Sequence, residues 1–294
     1  MSAFHGVLTA LVTPLSPDGS VDEAAFRALV RRQLDAGVHG LVPCGTTGEA
    51  PTLSADEQLQ LIRWTLEEVD GRVPVMAGIG SNDTAKAIAA GMRAQEAGVQ
   101  GVLATAPYYN KPTQAGLLLH FTAIADALDV EVCVYDVPGR TAIKVAPETL
   151  ATLSQHPRIT CVKDATGDLV NAADNQRLCG PDFVYLSGDD FTLLPFWALG
   201  GTGCISVLSN LMPARVVKLY NDIAAGDMDT ARADFLALIP LVRALFVESN
   251  PVPVKAAMAE QGLCQPTVRL PLAPLSDGGR DSLRSALAVS GELR

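Results

Sequence analysis

Eight times along this chain a short β-type apolar run gives way to a stretch with helical apolar spacing, and this alternation limits the possible folds more than any other feature. The runs are Val7 to Val12, Gly40 to Val42, Pro74 to Ala77, Gly101 to Ala104, Glu131 to Tyr135, Ile159 to Lys163, Phe183 to Ser187 and Cys204 to Val207. The intervening stretches carry helix signals. Ser54-Ala55-Asp56-Glu57 is a capping box, and Leu59, Ile62, Leu66 and Val69 follow it at 3,4,3 spacing, which predicts an inward face. After the eighth run a helix begins at Pro213, carries Val216, Val217, Tyr220 and Ile223, and stops at Gly226. Eight such units in residues 1–226 match a (β/α)8 TIM barrel of the α/β class better than an open sheet. Residues 227–294 then form a C-terminal helical region, with helices expected around 231–247, 253–261 and 281–289 and a proline-rich connection over 265–274.

Composition narrows the partners. The 294 residues include 22 Lys and Arg against 32 Asp and Glu, a net charge of −10 that argues against nucleic acid or anionic lipid. The hydrophobic share of 48% fits a folded globule. Residues 1–6 lack the basic segment and cleavage site of a secretory signal, and no apolar run approaches the ~20 residues that span a bilayer, so a cytoplasmic location is expected. The six cysteines, Cys44, Cys133, Cys161, Cys179, Cys204 and Cys264, never form C-x-x-C and are expected to be free thiols.

In a (β/α)8 barrel the chemistry gathers where strands end, so the segments after runs two, four, five, six and seven form the candidate site. Metal chemistry finds little support: the four histidines (His5, His39, His120, His156) belong to no H-E-x-x-H or H-x-H motif. Gly78-Ile79-Gly80 is a turn rather than a dinucleotide fingerprint, because position 83 is Asp. Cys44 has no histidine in the other strand-end loops to activate it, and is expected to be a small packed residue. Six lysines remain. Lys86 and Lys218 fall within helices, Lys255 near a helix start, and Lys111 and Lys144 in loops, where solvated ammonium groups are the norm.

Lys163 differs. Period-two alternation places Ile159, Cys161 and Lys163 on one face, so this lysine ends a strand with little water around it. Desolvation favours a neutral amine, the form that attacks a carbonyl to make a Schiff base. A buried lysine paired with Asp164, Asp189 or Asp190 fits the position equally well. Tyr135 ends the adjoining strand, and strands lie ~4.8 Å apart, so its phenol could relay protons to the amine, although an aromatic layer residue of the barrel fits the position too. Thr46-Thr47-Gly48 offers hydroxyls and amides suited to a carboxylate, or forms an ordinary tight turn, and Arg140 suits a second carboxylate or is a solvated loop arginine.

Six segments together resemble the dihydrodipicolinate synthase (4-hydroxy-tetrahydrodipicolinate synthase) branch of the pyruvate-dependent class I aldolases, which also includes N-acetylneuraminate lyase. They are Gly45 to Glu49, Pro107 to Pro112, Tyr135 to Thr141, Val162 to Gly167, Leu186 to Asp190 and Glu248 to Pro251, in that order nearly end to end. The resemblance implies a lyase that needs no cofactor: Lys163 forms a Schiff base with pyruvate, and the enamine attacks aspartate 4-semialdehyde. Cyclisation, with loss of water from the imine carbon, gives the heterocycle of the diaminopimelate route to lysine. It implies a proton relay of Tyr135, Thr46 and Tyr109, with Tyr109 supplied by a neighbouring subunit of a homotetramer built from tight dimers. Thr47 and Gly48 would hold the pyruvate carboxylate, Arg140 that of the semialdehyde, and Gly188 and Ile205 would line the pocket through backbone atoms. A related effector site would comprise Gln58, Asn82, Lys86 and Tyr108, where relatives that respond to lysine tend to carry histidine and glutamate in place of Gln58 and Lys86. The cation at position 86 is expected to repel the ammonium of lysine.

Several positions depart from the family pattern: Asp136 replaces a more usual asparagine, Ala104-Thr105-Ala106 replaces Val-Val-Thr, and Ser249 replaces a proline. Two other readings remain at this point. One is a Schiff-base pyruvate aldolase or lyase for a sugar acid or other aldehyde, although Gly-Thr-Thr-Gly-Glu differs from the Gly-Ser-Thr-Gly-Glu of the sialic-acid branch. The other is a non-catalytic barrel that binds small carboxylates.

Overall fold

A computed structural model describes residues 2–290. Its strands are β1 (Gly6–Ala10), β2 (Gly40–Val42), β3 (Met76–Gly78), β4 (Gly101–Thr105), β5 (Glu131–Asp136), β6 (Ile159–Asp164), β7 (Val184–Ser187) and β8 (Gly203–Ser206). All pairings are parallel, in the order β2-β1-β8-β7-β6-β5-β4-β3. A parallel bridge between Leu41 and Val75 closes the ring, so the eight strands form the expected (β/α)8 barrel. Its helices are α1 (Glu23–Asp35), α2 (Ala55–Val69), α3 (Thr84–Ala97), α4 (Gln114–Ala127), α5 (Pro138–Thr141), α6 (Pro147–Leu153), α7 (Leu169–Cys179), α8 (Leu193–Ala198) and α9 (Pro213–Ala224). Three more helices follow: α10 (Met228–Leu245), α11 (Val252–Glu260) and α12 (Asp277–Ser290).

Strand alternation sorts side chains into two layers. Leu8, Val42, Met76, Leu103, Cys133, Cys161, Leu186 and Ile205 fill the barrel interior, while Val7, Leu41, Val75, Val102, Val134 and Val162 pack outward against the helices. One expected alternation fails. The β5–β6 register shifts between Val132 and Cys133, so Ile159 joins the outer layer and only Cys161 and Lys163 keep the inward phase.

Helix α2 starts as its sequence implies: the Ser54 hydroxyl accepts from the Glu57 amide at 3.2 Å, and the Glu57 carboxylate accepts from the Ser54 amide at 2.7 Å. Its buried stripe is Leu61, Ile62, Thr65 and Val69, so Leu59 lies beside the inward face rather than on it. Gly226, at φ +82°, ends the turn after α9 in the left-handed region that favours glycine. The six cysteines are free thiols. No helix among the described residues is long and apolar enough to cross a membrane.

Candidate active site

Lys163 is 5% exposed and stands near the end of β6, directly opposite Tyr135 in the β5–β6 register. Its Nζ lies 4.2 Å from the centroid of the Tyr135 ring. The rest of the side chain runs against Gly188, where a Cβ would come 2.8 Å from Lys163 Cε and 2.9 Å from the Ala165 methyl. Gly188 therefore supplies room for the lysine, a role that no larger residue fills without displacing it.

The three aspartates that offered a structural partner are engaged elsewhere. Asp164 accepts from the Thr166 amide at 2.9 Å and hydroxyl at 2.6 Å, and from the amides of Asn171 and Asn175. Asp189 caps the following turn through the Phe191 amide, and Asp190 holds the amides of Val207 and Leu208, both at 2.9 Å. No carboxylate among the described residues pairs with Lys163. Its nitrogen is thus left available for a carbonyl carbon.

Lys255 corrects the expectation of a solvated ammonium. It is fully buried, 2.6 Å from the carboxylate of Glu49 and 2.9 Å from the Thr13 carbonyl. Glu49, at φ +57°, also accepts from the Arg269 amide at 3.0 Å. Burial lowers the pKa of Lys255, and the Glu49 charge opposes that shift. Among the described residues two lysines are therefore buried, one with a carboxylate and one without. The position of Lys255 near the start of α11 carries no sign of this, because its partner lies 206 residues away.

A cavity of about 570 Å³ opens at the C-terminal ends of the strands, the face where (β/α)8 enzymes react. Thr46 follows β2, Gly80 follows β3, Tyr108 follows β4, and Tyr135 and Arg140 come from the end of β5 and from α5; all line the cavity. Gly78 admits the loop after β2, because any Cβ there would strike the Cys44 carbonyl. Cys44 itself is packed, as expected, and burial pushes its thiol up to about 12.

Thr47 and Gly48 are buried beside Thr46. The Thr47 hydroxyl accepts from the Asn250 side-chain amide at 2.9 Å. Arg140 extends from α5 and donates to the Asn250 carbonyl at 3.0 Å. Ile205 belongs to the interior layer, with no exposed surface, and neither it nor Gly188 reaches the cavity wall. Tyr109 is 90% exposed, has φ +68° and takes no part in this chain's cavity wall. Gln58, Lys86 and Tyr108 line the same cavity together with Arg93, while Asn82 contributes a backbone carbonyl to Asn110 instead. Asn250 and Lys255 are the residues whose contacts sequence reasoning missed. In the sequence Asn250 stands out only within the Glu248 to Pro251 segment. Among the described residues no group of three or more His, Cys, Asp or Glu is placed to hold a metal.

Comparison with known proteins places this geometry. The 4-hydroxy-tetrahydrodipicolinate synthase of Pelobacter propionicus is 48% identical over 288 residues, 98% of this chain and 99% of the relative. The crystal structure of dihydrodipicolinate synthase from Thermotoga maritima matches with a TM-score of 0.97 at 41% identity, over 99% of this chain and all of that one. A dihydrodipicolinate synthase variant described as the first monomeric one matches equally well in TM-score, 0.97, at 41% identity, over 99% of this chain and 98% of that one. The model of the dihydrodipicolinate synthetase family matches residues 3–290. By that match and these identities over nearly the whole length, the chain belongs to the dihydrodipicolinate synthetase family.

Proposed function

We propose that this chain is a Schiff-base lyase that condenses pyruvate with L-aspartate 4-semialdehyde in the diaminopimelate route to lysine. The observation that carries the reading is Lys163: a buried amine at a strand end, without a carboxylate partner, beneath a tyrosine ring. Lys163 Nζ attacks C2 of pyruvate, and the carbinolamine loses water to give an iminium. The iminium draws off electrons as a C3 proton leaves, so the route calls on no metal and no other cofactor. The resulting enamine carbon attacks the aldehyde. The amine of the semialdehyde then displaces Lys163 from C2 as the ring closes, which frees the enzyme. Overall one water is released.

Tyr135 passes protons at the lysine nitrogen, a role its closeness to Lys163 supports, with Thr46 on the cavity wall and Tyr109 from a neighbouring subunit completing the relay. Thr47 and Gly48 hold the pyruvate carboxylate and Arg140 that of the acceptor, while Gly188 makes room for Lys163 and Ile205 packs in the barrel interior. The exposure and left-handed backbone of Tyr109 support its role in a homotetramer of paired dimers. Six free thiols support work in a reducing cytoplasm.

Borohydride reduction in the presence of pyruvate, followed by peptide mass mapping, tests the assignment. The adduct is expected on Lys163 in the wild type, absent in Lys163→Ala and retained in Arg140→Ala, whose use of the semialdehyde falls by about a hundredfold as a bidentate charge contact is lost. An adduct elsewhere, or none, refutes the reading. A turnover comparison with sugar aldehydes tests the acceptor.

A further inference from the structure

Asn250 stands between the two groups to which the proposed function assigns the substrate carboxylates. Its side chain is buried, 6% exposed, and its amide donates to the Thr47 hydroxyl at 2.9 Å. Its backbone carbonyl accepts from Arg140 at 3.0 Å. A threonine hydroxyl has one proton to give and two lone pairs to offer. Because Thr47 accepts from Asn250, its oxygen is fixed in place and its own proton remains for another acceptor. The Asn250 Oδ1 has no hydrogen-bond partner among the described residues, so the Thr47 proton is not drawn back to it. Arg140 spends one donor on the Asn250 carbonyl, and the others stay available.

We propose that Asn250 is a positioning residue that orients the Thr47 hydroxyl as a donor to the pyruvate carboxylate while its backbone sets the reach of Arg140. The two arms are separable by mutation, because side-chain replacement removes the first and leaves the second. Asn250→Asp is the sharper change. It is nearly isosteric but replaces the donor facing Thr47 with an acceptor, which draws the Thr47 proton away from substrate. Asn250→Ala removes the anchor without adding charge.

This inference rests on the proposed chemistry, so the wild type is first trapped with pyruvate and borohydride; failure there refutes that chemistry and not the role of Asn250. Trapping at saturating pyruvate then shows that each variant is folded and reactive. In both variants KM for pyruvate is expected to rise about tenfold, as one charge-assisted hydrogen bond is lost, while KM for the acceptor stays within about twofold. In a Thr47→Val background, Asn250→Asp is expected to add less than about twofold, because the two residues act through one bond. An unchanged pyruvate KM, an equal rise in both KM values, or an undiminished effect of Asn250→Asp in Thr47→Val would overturn the proposal.

Discussion

Asp136 follows Tyr135 at the end of β5 and faces Asp164 in the β5–β6 register. It is 3% exposed, and its Oδ1 has no hydrogen-bond partner among the described residues. Burial pushes its carboxyl up to about 7; a hydrogen bond from the Val145 amide opposes the shift, and the Asp164 charge adds to it. In the unfolded chain the same group titrates near ~3.9. Between those values the folded protein holds a proton that the unfolded chain releases, so the stability it contributes is full below pH ~4 and lost as pH rises through about 7. Asp136→Asn removes this dependence. Urea unfolding at pH 5 and pH 8 is expected to show the variant gaining on the wild type, by up to a few kcal/mol, at the higher pH. An unchanged gap would refute it. Lys86 carries a different expectation. Its side chain is 78% exposed on the cavity that Gln58, Arg93 and Tyr108 also line, and two cations there disfavour an ammonium. Sub-millimolar lysine is expected to leave activity unchanged in the wild type and to inhibit Lys86→Glu; strong inhibition of the wild type contradicts this.

The buried pair of Lys255 and Glu49 ties α11 to the loop after β2 that carries Thr46 and Thr47. Arg269 extends the tie: its backbone amide reaches Glu49, and its guanidinium reaches Glu57 of α2 at 2.5 Å and the Gly19 carbonyl at 3.0 Å. Those hydrogen bonds hold the Glu57 carboxyl down at about 2. The C-terminal helices thereby brace the catalytic end of the barrel. Lys255→Met strands the Glu49 carboxylate in the interior, and ~3–5 kcal/mol of stability is expected to be lost by urea denaturation, whereas Lys255→Met with Glu49→Leu recovers most of it. A single variant as stable as the wild type would show that the pair contributes little. At this scale most strands and helices were legible, because each depends on local period, capping and turn chemistry. Two details were not. The inward stripe of α2 is set by the neighbours it packs on, and the phase of Ile159 is set by a register shift that exists only once β5 and β6 pair.

For the whole molecule, Tyr109 poses the sharpest test. Lys163→Ala and Tyr109→Phe are each expected to be nearly inactive alone. Under the proposed shared relay, refolding them together would create sites that combine one chain's Lys163 with the other's Tyr109, so activity is expected to return to roughly a quarter of the wild-type level with random assembly. No recovery would place the relay tyrosine within a single chain. The net charge of −10 bears on polyanions only, for under the proposed function the keto acid would meet Thr47 and the acceptor's carboxylate Arg140, both local groups. The sequence by itself determined the eight alternating units, the strand-end segments, and Lys163 and Tyr135 as neighbours, because hydrophobic period and strand adjacency are local or nearly so. Which lysine goes without a counter-charge was decided only in three dimensions. Glu49 and Lys255, far apart along the chain, pair with each other, while Asp164, Asp189 and Asp190 turn to amide and hydroxyl donors and leave Lys163 without a carboxylate partner among the described residues. Tertiary structure likewise placed Asn250 between Thr47 and Arg140, since hydrogen-bond partners follow from geometry across the closed barrel and not from spacing along the chain.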